Sequence, residues 1–371
     1  LGTLGCPQRQ FPSILVVGTN GKGSTVAMLS SVLGAHGLSV GRYTSPHLIR
    51  VEERIQVDGH AIDRADLERH LARLEPFADL TFFEVLTAAA LLHCAEHDVD
   101  CAVLEAGMGG RWDATRLAGS VVAGLTNIGT DHQRWLGTSR ESIAADKGQA
   151  LASAAIAVLG PDVDAAIVHH LGAGRARAAA ELVELGGSGS TVEARWGPSA
   201  ITVEPVLPGA HQISNLHLAL ALGRAAAEVG LIPSLQPEAV LRGLAAVQWP
   251  GRLSRHTIGD RRVLIDCAHN LEGATALAQH LAGLPERHHL LFSCLDDKPV
   301  EAMAAVLEPA VESVAVCPLD DDRAMDTGRM RAAFSIAQTA PGPLAGVELL
   351  PRPIVAAGSL RLAAALLEAS S

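Results

Sequence analysis

Residues 14 to 25 read ILVVGTNGKGST: a short apolar run, then three glycines, one lysine, one asparagine and three hydroxyl residues. Glycines let a backbone turn sharply and approach an oxyanion, the amides opening the next helix point at it, and Lys22 adds a point charge. The stretch reads as a phosphate cradle formed by Asn20, Gly21, Lys22, Gly23 and Ser24, with Ser24 or Thr25 able to join a Mg2+ shell. The plain alternative is a glycine-rich turn carrying a solvated lysine. In the common phosphate-loop pattern Ser or Thr follows the lysine directly, whereas Gly23 intervenes here.

Other stretches carry chemistry less plainly. YTSPHLIRVEERIQVDG holds Ser45 and His47 in a Ser-Pro-His turn, which alone reads as a helix cap or a solvated hairpin. VLEAGMGGRWDAT ends a strand pattern on Glu105 before a glycine-rich loop. A carboxylate there is costly unless paired or metal-bound, so Glu105 is a candidate Mg2+ ligand; hydrogen bonds to loop amides are the alternative. In NIGTDHQRWLG, Asp131 and His132 follow another strand pattern, but Mg2+ prefers oxygen, and the spacing suits a structural histidine as well as a ligand. Lys147 falls in the helical pattern ESIAADKGQAL, where a solvated surface lysine is the ordinary expectation. In LIDCAHN, Asp266, His269 and Asn270 gather at the end of a strand pattern, and Arg252 follows a Trp-Pro-Gly break; each alone also reads as a turn or linker residue.

The elements that must position these residues follow from periodicity. Apolar runs ILVVG, CAVLEAG, VVAGLTNI and AIAVLG alternate with helical patterns such as STVAMLSSVLGAH and EVLTAAALLHCAEH. That alternation predicts βαβ crossovers and a mainly parallel sheet with helices on both faces, whose ligands bind at the carboxyl ends of the strands. TVEARWGPSAITVEPVLPG predicts an antiparallel excursion, and helices are expected near 212–229 and 236–246. A new alternation begins after Pro250 with RRVLIDCAHN, HHLLFSC, ESVAVCP and RPIVAAG, so the expected domains are 1–249 and a smaller α/β unit, 250–371.

Composition narrows the function classes. A net charge of −11 argues against a nucleic-acid surface, which needs clustered Lys and Arg, while Arg42, Arg50, Arg54 and Arg111 could still meet a small anion. Six cysteines without a CxxC pair sit mostly in apolar runs and read as buried free thiols of a reducing compartment. No segment is apolar for long enough to span a bilayer, and LGTLGCPQRQ lacks the order of a signal peptide, so a cytoplasmic protein without membrane partners is expected. The chain begins at Leu1 rather than Met.

Taken in order, GTNGKGST, YTSPHL, EAGMGGRWDAT, the DH of GTDHQRWLG, HQISNLHLA, WPGRL and DCAHN resemble the folylpolyglutamate synthase/dihydrofolate synthase family of the Mur ligase superfamily, in which the extra loop glycine is normal. The resemblance implies a P-loop NTPase-like central domain with a parallel sheet, a smaller Rossmann-like C-terminal domain, and ATP-dependent addition of L-glutamate to a folate or dihydropteroate carboxylate through an acyl phosphate. It implies that Asn20 to Ser24 wrap the ATP phosphates, with Lys22 on the terminal ones, and that Asn215, Arg252 and Asp266 contact ATP with His269 close by. Ser45, Glu105 and His132 correspond to Mg2+ ligands; Phe83, Glu84, Trp112, Asp113, Ala114 and Thr115 would border the pterin. Lys147 matches a lysine that the family carbamylates to help hold a second metal, although Asp146-Lys147-Gly148-Gln149-Ala150 stands where Glu-Lys-Ala-Gly-Ile is common. The helical segment that the family carries before its phosphate loop is mostly missing, which leaves open which folate substrate is taken. A monomer is expected. A Mur-type ligase for another carboxylate and amino acid, and a paralogue binding nucleotide or folate without catalysis, are the alternatives.

Overall fold

The computed structural model describes residues 1–131, 133–187 and 191–370. The chain divides into two compact units, the first Leu1–Val206 with Gln212–Gln248, the second Leu207–His211 with Trp249–Ser371.

The first unit is built on an eight-stranded sheet: β1 (Ser13–Val17), β2 (Val40–Tyr43), β3 (Ile55–Val57), β4 (His60–Ala61), β5 (Cys101–Glu105), β6 (Val122–Leu125), β7 (Ile156–Leu159) and β8 (Arg177–Ala178). Their order across the sheet is β4-β3-β2-β5-β1-β6-β7-β8. The six strands from β2 to β8 are parallel, and β3 and β4 add an antiparallel edge. Every residue of β1 and β5 is buried, as expected of strands covered on both faces. Alternation then sorts the side chains. Leu15, Val17 and Leu104 enter a core with Leu86, Ala89 and Ala90, while Ile14, Val16 and Val103 enter one with Val26, Leu29 and Leu218.

The helices behind these cores are α1 (Lys22–Ala35), α2 (Arg64–Leu74), α3 (Phe82–Glu96), α4 (Gln133–Leu136), α5 (Arg140–Gly148), α6 (Ala165–Val168), α7 (His211–Glu228) and α8 (Pro237–Ala245). Helix α3 starts with a capping box: Thr81 accepts from the Glu84 amide and the Glu84 carboxylate accepts from the Thr81 amide. The expected antiparallel excursion is a three-stranded sheet of β9 (Glu184–Gly186), β10 (Val192–Trp196) and β11 (Ser199–Val203).

The second unit holds six strands: β12 (Ser254–Ile258), β13 (Arg261–Ile265), β14 (His288–Phe292), β15 (Val311–Val316), β16 (Ala337–Thr339) and β17 (Ile354–Ala357). They lie in the order β12-β13-β17-β14-β15-β16, parallel except for β12. Its core packs Leu290, Phe292 and Val314 against Leu277, Met303 and Leu307. All six cysteines are free thiols, and all but Cys6 are buried. Among the described residues, no helix is long and apolar enough to cross a membrane.

Candidate active site

Strand β1 lies between β5 and β6, with β2 beyond β5, so the loops leaving these strands at their carboxyl ends are neighbours. The loop after β1 is held chiefly by the segment after β6. Asn20 donates its amide to Asn127 Oδ1 at 3.0 Å, its carbonyl accepts Thr126 Oγ1 at 2.6 Å, and Thr19 Oγ1 accepts the Gly129 amide at 2.9 Å. Gly21 caps α1 at φ 83°, and a Cβ there would stand 2.0 Å from Asn215 Oδ1. The glycine thus answers both a left-handed turn and the approach of α7. Lys22 Nζ reaches back to the Thr19 carbonyl at 3.2 Å, which keeps its charge over the loop. Ser24 and Thr25 are buried in the first turn of α1.

Glu105, the last residue of β5, is buried, and its Oε2 accepts the Ser45 amide at 3.1 Å. The two candidate metal ligands from β5 and the turn after β2 are therefore adjacent. That turn is braced by Glu53, whose carboxylate accepts the amides of Leu48, Ile49 and Arg50, and by Arg54, which donates to His47 Nδ1 at 3.0 Å. Glu105 and the Ser45 hydroxyl offer oxygen donors of the kind Mg2+ takes, so the residues fit that ion. His132 lies outside the described residues.

Lys147 corrects the expectation of a solvated lysine. Its side chain is 2% exposed, and Nζ donates to the Gly18 carbonyl at 2.8 Å. Burial first, and the nearby charge of Lys22 second, push its amine down to about 7. The preceding Asp146 accepts the amides of Gly110 and Arg111 through Oδ1, tying the end of α5 to the glycine loop after β5.

On that loop, Asp113 accepts from the Met108 amide and from both the amide and hydroxyl of Thr115, so its carboxylate folds the loop. Trp112 is 88% exposed and Phe82 61%, while Phe83 packs against Gly107. Ala114 opens the short 3-10 turn Ala114–Ala118. In the second unit, Asp266 accepts the amides of Leu253 and Ala268, His269 Nδ1 pairs with the Cys267 carbonyl, and Asn270 caps α9 (Leu271–Ala282). Arg252 lies on the turn that Asp266 fixes. Sequence reading missed Asn127, Thr126 and Asp146; their one signal was polarity placed straight after a strand or beside a candidate lysine.

Residues 16–223 match the Mur ligase middle domain and residues 251–366 the Mur ligase glutamate ligase domain. The dihydrofolate synthase/folylpolyglutamate synthase of Mycobacterium tuberculosis is 36% identical over 89% of this chain and 75% of its own length. The chain belongs to the folylpolyglutamate synthase/dihydrofolate synthase family. Within that family, the Escherichia coli FolC in complex with DHPP and ADP superposes with a TM-score of 0.88 at 27% identity, over 98% of this chain and 91% of that one. A bifunctional folylpolyglutamate synthase/dihydrofolate synthase with Mn, AMPPNP and L-glutamate bound matches at a TM-score of 0.85 and 29% identity, over 98% and 90%. Like the family it belongs to, the chain is an ATP-dependent ligase.

Proposed function

We infer that this ligase joins L-glutamate to the carboxylate of a folate or dihydropteroate in two displacements. A carboxylate oxygen attacks the γ-phosphorus of ATP, giving an acyl phosphate and ADP; the glutamate amine, having shed a proton, then attacks the acyl carbon and expels phosphate. The observation that carries the reading is the pairing of the Lys22 loop with the adjoined Ser45 and Glu105, within a chain of this family. Lys22 and the loop amides offset charge growing on the transferring phosphoryl group and hold it in line. Ser45 and Glu105, with His132, are the proposed Mg2+ holders, and the ion when bound neutralises phosphate charge. Arg252, Asp266, Asn215 and His269 are proposed for ATP, and Phe83, Glu84 and Trp112 to Thr115 for the pterin, on the family resemblance.

For Lys147 we propose carbamylation by CO2. A buried amine whose pKa is brought down near neutrality is the nucleophilic form that CO2 requires. The Nζ lone pair bonds to the carbon of CO2 and one proton is released; the nitrogen keeps one hydrogen for its bond to Gly18, and the new carboxylate would offer oxygen donors to a second metal.

The deciding experiment measures phosphate release with Mg-ATP, L-glutamate and either dihydropteroate or tetrahydrofolate. Release with one or both, matched by a glutamylated product, is expected. ATP binding without release on either substrate overturns the assignment.

A further inference from the structure

We propose that Asp66, His93 and His97 form a further metal centre, one for a zinc-like divalent cation, at the end of the α2–α3 pair remote from the glycine loop that follows β5. A ring nitrogen of each histidine and a carboxylate oxygen of Asp66 lie within 4.8 Å of one another. The arrangement comes from two i,i+4 pairs on packed helices, Asp66 with His70 on α2 and His93 with His97 at the close of α3. Phe83, beside the glycine loop, opens α3, and ten residues of helix at about 1.5 Å each put His93 about 15 Å away along the axis.

The hydrogen bonds leave the right nitrogens. His97 Nδ1 meets the His93 carbonyl at 2.9 Å and must be the protonated nitrogen, so Nε2 carries a lone pair. His93 Nδ1 faces His70 Nε2 at 3.4 Å, which leaves Nε2 as the nitrogen His93 offers. Histidine ligands characteristically have their second ring nitrogen held in this way. For Nε2 of His93 to keep its lone pair, His93 Nδ1 donates to His70 Nε2, which also lies 3.8 Å from Glu96 Oε2, and the proton of the fully buried His70 sits on Nδ1, an atom without a hydrogen-bond partner among the described residues. Arg69 occupies Asp66 Oδ1, so the other carboxylate oxygen is the one for a cation. Two imidazoles and one carboxylate select a borderline transition ion over Mg2+ or Ca2+.

Chelator-treated full-length protein is loaded with Zn2+ in excess Mg2+, desalted and assayed for zinc, and Co2+ loading is followed by visible absorption. One zinc per chain, a tetrahedral Co2+ spectrum, and at least about tenfold weaker binding in His97→Gln and Asp66→Asn are expected, with ligase turnover unchanged. His97 is exposed, so its variant keeps the fold. No retained zinc in the wild type, or equal retention in both variants, overturns the proposal.

Discussion

Lys147 Nζ donates to the carbonyl oxygen of Gly18 across 2.8 Å, joining the last turn of α5 to the first residue of the phosphate loop. The lysine therefore serves the loop's shape whether or not it is modified. With a carbamate at this position, depleting CO2 lowers turnover, bicarbonate restores it, and 13C-labelled CO2 gives a carbamate resonance that Lys147→Arg lacks. Lys147→Ala costs about 100-fold or more in kcat. Turnover indifferent to CO2, with no such resonance, removes the carbamate from the mechanism.

Lys22→Ala keeps the fold, because the side chain's hydrogen bond to Thr19 lies at the loop surface rather than in a core. Losing its charge from the transferring phosphoryl group lowers kcat by about 100- to 1000-fold. Steady-state kinetics beside a circular dichroism melt decide this, and near-normal kcat sinks the assigned role.

Gly21→Ala raises the KM for ATP by about tenfold or more, through the left-handed backbone and the collision with Asn215 Oδ1. Gly59 is the control: its φ is +80°, but a Cβ there meets nothing within 4 Å. Gly59→Ala should share the modest strain and leave the KM unchanged; equal kinetic effects in the two variants would show that backbone strain alone explains the first.

His217 donates from Nε2 to the Val183 carbonyl at 2.6 Å, and burial holds its pKa below the ordinary 6.5. The unfolded chain then binds the proton more tightly, so stability is present above about pH 6.5 and falls with acidification. His70 and His93 act with the same sign. Urea midpoints should drop between about pH 7 and pH 5, with a shallower drop in His217→Gln. An identical slope in the variant refutes the contribution of His217.

The central strands were legible because β1, β5, β6 and β7 are apolar runs buried on both faces, and the phosphate loop because its glycines and lysine sit between a strand and a helix. The two-residue strands β4 and β8 left no periodic trace. The burial of Lys147 was hidden for a different reason. It depends on Gly18, 129 residues earlier in the chain, and no local pattern encodes such a partner. Asn127 escaped for the same cause, since its bond to Asn20 spans 107 positions. Asp66, His70, His93 and His97 show their helical spacing in the sequence, but only the packing of α2 on α3 makes them neighbours.

The close of α5 is pinched between two backbones: a Cβ on Gly110 would stand 2.7 Å from the Lys147 carbonyl oxygen, and one on Gly148 would stand 1.8 Å from that of Leu171. A methyl group at residue 148 has nowhere to go unless the turn at His169–Leu171 retreats. Grafting the family's common Glu-Lys-Ala-Gly-Ile into this chain would therefore displace the turn beneath it, and a working chimera would have to import both segments from one parent.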